Sequence, residues 1–166
     1  MKTFCTKVKK VVSTIICFVM ILGVTNLTSC SLLGSGGSTK KVEEFYEAVV
    51  KSQELLDIVA DDIYSYWYDC IYKDKYSSID VAVYLAQEKN KENLEEIELN
   101  EPLIRDLYKE ARESEFEDEV KEVMSAYSDY YEFVVNVSGS FETYKSGVES
   151  YKKALASALK KLSLEI

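Results

Sequence analysis

The chain has 166 residues, is 47% hydrophobic and 30% charged, and sets 29 acidic against 20 basic side chains with no histidine, for a net charge of -9. That length suits one domain with a modest core. The acidic balance repels phosphate backbones and excludes nucleic acid as an expected partner, and the lack of histidine removes the usual general base and the commonest metal ligand.

The first thirty residues differ from the rest. Met1 to Lys10 carries Lys2, Lys7, Lys9 and Lys10, and Val11 to Val24 is a 14-residue run without charge, the pattern of the n-region and h-region of a secretory signal. The tetrapeptide Leu27, Thr28, Ser29, Cys30 follows, and then the Gly/Ser-rich stretch Leu32 to Thr39, whose composition gives a flexible coil. The tetrapeptide resembles the lipobox of bacterial lipoproteins, and the resemblance covers residues 1–30 only. It implies transfer of diacylglycerol to the Cys30 thiol and cleavage of the bond before it. Residues 1–29 are then a signal peptide and 30–39 a lipidated N-terminus and tether. Two acyl chains make such attachment stable where one gives marginal affinity. The expected location is the cell membrane, anchored through lipid and facing the extracytoplasmic side.

The competing reading is a membrane helix. A span needs roughly 20 mainly apolar residues, and extending this run brings in Thr25, Asn26, Thr28 and Ser29. Under either reading the basic end stays cytoplasmic. Without the leader, residues 30–166 carry 16 basic and 29 acidic side chains, a net -13. Of the four cysteines, Cys5 and Cys17 leave with the leader and Cys30 is lipidated, so Cys70 has no partner for an internal disulfide. It reads as a small core residue, the alternative being a reactive thiol.

From Lys40 the pattern is helical. Val42, Phe45, Val49, Ser52, Leu56, Val59, Ile63, Tyr66 and Cys70 follow 3,4 spacing, interrupted only by Ser52, and place one stripe toward partner helices. A helix from Lys40 to Lys73 is about 50 Å long. After a turn at Lys73 to Ser77, Ser77 or Ser78 caps a short helix reaching Glu92, with Ile79, Ala82, Val83 and Ala86 inward. Asn100, Glu101, Pro102 reads as the next start, with Leu103, Ile104, Leu107, Tyr108 and Ala111 buried.

The longest regular signal is Phe116, Val120, Val123, Tyr127, Tyr130, Val134, Val137, Phe141, Tyr144, Val148, Tyr151, Leu155, Ala158 and Leu162, 14 positions in heptad register. Ser138, Gly139, Ser140 interrupts the composition but not the phase. A bend or continuous helix is therefore expected there rather than a reversal. Gly147, off the stripe, reads as tolerated. The fold class is all-α: an elongated antiparallel bundle of three or four long helices over residues 40–166, with the first helix against the carboxy-terminal one.

Three features are candidates for function. Tyr64, Trp67, Tyr68 and Tyr72 crowd the end of the first long helix. The row Tyr64, Tyr68, Tyr72, Tyr76 reads as a seam against the short helix, and its functional alternative is a contact patch, since Tyr and Trp are enriched at interfaces. The second feature is the run Glu92 to Glu122, with 13 carboxylates and four basic residues. It has no calcium-loop spacing with its glycine, so it reads as a solvated face or a surface for a basic partner. The third is Tyr127, Tyr130, Tyr144 and Tyr151, which either fill the core or line a cavity.

Catalytic signals are missing: no Gly-rich phosphate loop, no nucleophile elbow and no paired cysteine ligands. Two acids of a glycosidase remain formally possible. The expectation is a non-enzyme with no cofactor and no metal. Its role is expected to be that of a lipid-anchored module for a protein partner, as immunity and exclusion lipoproteins are. The alternative is a lipoprotein that binds a small molecule, glycan or lipid or maintains the envelope.

Overall fold

The computed structural model describes residues 36–166, with side chains from Ser38 onward. The leader and Cys30 lie outside the described residues. Among the described residues five helices follow one another: α1 (Gly36–Lys73), α2 (Ile79–Lys89), α3 (Lys91–Ala111), α4 (Glu117–Val135) and α5 (Phe141–Leu162). No strand occurs among the described residues. The all-α architecture holds, with five helices in place of the three or four expected from the sequence.

α1 is the centre of the bundle. Its 38 residues span roughly 57 Å at 1.5 Å per residue, starting inside the stretch that its composition marks as tether. It is the one helix in contact with all four others, and α3 is its principal neighbour; the expected pairing with the carboxy-terminal helix, α5, is present as a smaller contact. The 3,4 stripe is the reason. Val42, Phe45, Val49, Ser52, Leu56, Val59 and Ile63 are fully buried, while Tyr66 and Cys70 at the far end are half-buried.

Two departures from the expected helix boundaries have local causes, and the second adds the fifth helix. α2 and α3 meet at the buried Asn90, whose side-chain amide donates to Asp62 Oδ2 of α1 at 2.8 Å and to the Ala86 carbonyl at 3.0 Å. Lys89 reaches the other oxygen of Asp62 at 2.8 Å. Burial opposes the charge on Asp62, yet the bonds from Lys89 and Asn90 outweigh it and hold the carboxyl below the usual range. The third helix therefore begins at Lys91, not at Asn100, and carries Pro102 in its interior. Its inward face is the seven-residue repeat Ile97, Ile104, Ala111. Leu103, expected inward, sits about 100° round the helix from Ile104 and is 52% exposed.

The second departure is the reversal between α4 and α5. Gly139 adopts φ +90, a conformation that a side chain disfavours. Ser140 then caps α5 in a capping box: its Oγ accepts from the Thr143 N–H at 3.2 Å and the Thr143 hydroxyl accepts from the Ser140 N–H at 2.8 Å. The five residues 136–140 turn the chain without losing the heptad phase, so both arms present their stripes to α1. None of the 14 stripe positions is exposed. Gly147 is required, not merely tolerated. A Cβ there would lie 2.5 Å from the Phe133 ring, which stacks on Tyr144 at 5.1 Å and packs on Tyr151 at 4.8 Å.

The core is keyed by phenol hydroxyls. Tyr127, Tyr130 and Tyr144 are among the largest fully buried side chains, and each reaches α1. The Tyr127 hydroxyl pairs with Ser52 Oγ at 3.1 Å, Tyr130 donates to Asp57 Oδ1 at 2.7 Å, and Tyr144 donates to the Ala60 carbonyl at 3.5 Å. Ser52, the one gap in the stripe, is thus a hydrogen-bond partner. Burial is the main reason that all three phenols are pushed upward, Tyr127 to about 12. Because the phenols titrate above their ordinary value of about 10, the stability linked to the neutral phenols is complete below that pH and is lost as pH rises through the folded values. We expect alkaline unfolding in which tyrosinate absorbance and helix loss share one transition for these residues. Ionisation of all 13 tyrosines near their ordinary value with helicity retained would contradict the packing.

Candidate functional site

The aromatic end of α1 is built from a helix that outruns its neighbours' stripes. Beyond Ile63 the chain supplies Tyr64, Tyr66, Trp67, Tyr68, Tyr72 and Tyr76 within 13 positions, more aromatic surface than one buried face can take. The turn after α1 is fixed by polar contacts. Asp69 receives Lys73 at 2.7 Å and Lys75 at 3.0 Å, and the hydrogen bonds from these two lysines lower its pKa. Asp74 takes φ 48, Cys70 Sγ approaches the Tyr76 carbonyl at 3.7 Å, and Ser78 caps α2 by accepting from the Val81 N–H at 3.3 Å.

The structure gathers all four candidate residues on a common partner. Tyr64, Tyr68 and Tyr72 converge on Phe141, the first residue of α5, with ring centroids 5.3, 6.3 and 5.9 Å away. The row is therefore a seam against the start of α5 and not against the short helix. Tyr76 leaves the row and stacks on Tyr66 at 5.3 Å. Trp67 lies inside, 4% exposed, against Tyr144 at 5.4 Å and Phe141 at 6.2 Å. The indole is thus buried among these rings and adds little to the exposed surface. Tyr64 is half-buried, whereas Tyr68 and Tyr72 are 38% and 57% exposed.

The residues that sequence reasoning missed lie on α2. Among the described residues, seven of the eleven exposed large apolar side chains fall between positions 68 and 85: Tyr68, Ile71, Tyr72, Ile79, Val81, Tyr84 and Leu85. One end of the bundle thus holds most of the exposed apolar surface. The signal was present in the sequence Ile79 to Ala86, which is apolar at every position except Asp80. A helix apolar on all sides needs cover on all sides, and α2 buries only Ala82 and Ala86. Ile79, expected inward, is 41% exposed because the small alanines set the contact with α1.

Between α2 and the reversal at 137–139 runs an open groove of about 370 Å³, walled by Trp67, Ile79, Val83, Tyr84, Gln87 and the turn residues. The Trp67 indole N–H is buried and has no hydrogen-bond partner. Chemically the end offers apolar contact area and aromatic faces, with Asp80 in the groove lining and the Asp69, Lys73 and Lys75 cluster in the turn beside it.

The other two candidate features also take part in packing. Tyr127, Tyr130 and Tyr144 are buried in the core, while Tyr151 is half-buried on Phe133. Carboxylates of the acidic run tie helices together: Glu96 to Lys51 at 2.8 Å, Glu110 to Lys41 at 2.8 Å, and Glu122 to Lys161 at 2.8 Å. No group of three potential metal ligands occurs among the described residues. No protein-family model matches the chain, and neither a curated protein nor a solved structure matches it.

The seam separates packing from surface. Phe141→Ala removes the buried ring (8% exposed) on which the row closes and is expected to cost about 3–5 kcal/mol in denaturant unfolding. Tyr72→Ala, on the exposed side, is expected to change stability by roughly 0.5 kcal/mol or less. Equal costs would contradict the arrangement.

Proposed function

We propose that the chain is a lipid-anchored, extracytoplasmic helical module that binds a protein partner through the apolar end formed by the last turns of α1 and by α2. The observation that carries this reading is the concentration of exposed apolar side chains between Tyr68 and Leu85. Isolated surface apolar residues need no explanation, but contiguous ones at one end mark an interaction surface. Tyr68, Tyr72 and Tyr84 add the large, stiff, amphipathic contacts typical of binding hot spots.

No helix among the described residues is long and apolar enough to cross a membrane. In this reading attachment rests on Cys30, and α1 begins six residues later, at Gly36. The acidic surface, a net -13 over residues 30–166, favours a basic partner and steers its approach. An immunity-like or exclusion-like role, in which an incoming factor is bound at the cell surface, fits these properties. The alternative is a ligand held between the helices; that the hydroxyls of Tyr127, Tyr130 and Tyr144 are taken up by Ser52, Asp57 and the Ala60 carbonyl favours the partner reading.

Joint replacement Tyr72→Ala and Tyr84→Ala is expected to weaken partner capture by roughly 30-fold or more, as loss of a hot spot does, with helicity unchanged. Capture equal to the wild type would overturn the assignment of the surface. Cys30→Ala is expected to abolish lipid labelling and leader cleavage; normal processing in that variant would replace the lipid anchor with an ordinary signal peptide or a membrane helix.

A further inference from the structure

The acidic run Glu92 to Glu122 contains four basic residues, Arg105, Lys109, Arg112 and Lys121, and these include both arginines of the chain. All four face the same groove. Arg105, Tyr108, Lys109 and Arg112 line it from α3, and Lys121, Met124, Ser125 and Ser128 line it from α4. Each set follows i, i+3, i+4, i+7 spacing, which is one continuous helix face. α3 and α4 touch only sparingly, so the two faces stand apart and wall an open groove of about 410 Å³ with no acidic residue in the lining.

The carboxylates that pair with these cations come from the same helix as the cation. Glu101 bonds Arg105, Asp106 bonds Lys109 at 2.7 Å, and Glu117 bonds Lys121 at 2.7 Å. Such exposed pairs are worth little and exchange readily. Arg112 has no carboxylate within ion-pair distance among the described residues, and its guanidinium lies 6.0 Å from the centre of the Tyr108 ring. A chain with a strong acidic excess thus gathers two guanidiniums, two ammoniums and two serine hydroxyls on one concave surface.

We propose that this groove binds a phosphate group. Guanidinium forks match phosphate oxygens in bidentate geometry, and lysine ammonium and serine hydroxyl groups supply the further donors that such an anion takes. The acidic surroundings repel extended polyanions, so the ligand is compact: a soluble phosphate or the headgroup of a phospholipid. Tyr108 packs on Phe45 at 6.1 Å and Glu110 pairs with Lys41 at 2.8 Å, so the groove lies at the end of the bundle where α1 begins. The apolar surface of residues 68–85 is at the other end of α1. The two sites share no residue, and loss of one leaves the other intact.

The test is a titration of the full-length chain in maltoside micelles, read by backbone amide shifts. The probes are inorganic phosphate and, separately, glycerophosphoglycerol, the deacylated headgroup. Expected are saturable shifts confined to residues 105–112 and 121–128, weakened about tenfold by Arg112→Gln, as befits loss of a charged hydrogen-bond donor. The exposed control Lys153→Gln leaves them unchanged. Tighter saturation by inorganic phosphate identifies a soluble ligand, and tighter saturation by glycerophosphoglycerol a lipid headgroup. No saturable shift with either probe would overturn the site, as would Arg112→Gln binding like the wild type while its helicity is retained.

Discussion

Three phenol hydroxyls must find partners inside a helical core, and the arrangement of the bundle follows from where they find them. A buried donor without an acceptor costs about 1–3 kcal/mol, so Tyr127, Tyr130 and Tyr144 constrain how α4 and α5 sit on α1. Ser52, Asp57 and the Ala60 carbonyl are the acceptors or partners, spread over little more than two turns of one helix. A slide of α4 along α1 by one turn would strand two hydroxyls at once. Lys152 adds an outer tie, at 2.7 Å from Asp61 and 3.7 Å from Asp57. Apolar stripes alone permit several alignments, whereas this set of bonds selects one.

Fixing that alignment decides what happens at the far end of α1. With Tyr144 seated beside Ala60, the start of α5 falls beside Tyr64, Tyr68 and Tyr72, and Phe141 closes on them. The inner sides of the aromatic row and Trp67 are consumed by this seam. What remains outward is the outer side of Tyr68 and Tyr72 together with α2, a helix whose contact with α1 runs through two alanines. Its larger side chains have nowhere inward to go. The apolar surface proposed for partner binding is thus the remainder left by a core that is complete without it.

The heptad pattern was legible in the sequence down to single positions, since all 14 stripe residues from Phe116 to Leu162 are buried or half-buried. The reversal inside it was not. A five-residue turn that restores the phase looks the same as an unbroken helix when only periodicity is read, and the composition of Ser138, Gly139, Ser140 was the better guide. Asn100 and Pro102 misled in the opposite direction. Their capping preference is local, while the start of α3 is set by a long-range bond from Asn90 to Asp62. Gly147 looked incidental because its role is defined by Phe133 on another helix. Among the candidate site residues, spacing alone identified the crowded end of α1 but not which rings face water, because that depends on where Phe141 lands. The four basic residues between Glu92 and Glu122 were visible as a count, and only the facing of α3 and α4 shows that they converge.

Taken together, the two ends of α1 have opposite characters. One presents exposed tyrosines and aliphatic side chains, the other a small basic groove in an otherwise acidic surface, and a rigid core separates them. The central functional claim is that the apolar end is the working face. Its most direct measurement is photo-crosslinking in living cells, with a photoreactive aromatic residue in place of Tyr84 and, separately, in place of Lys153 on the exposed side of α5. The account predicts a discrete cross-linked protein from position 84 and none from position 153. Equal labelling from both positions, or labelling from position 153 alone, would contradict it.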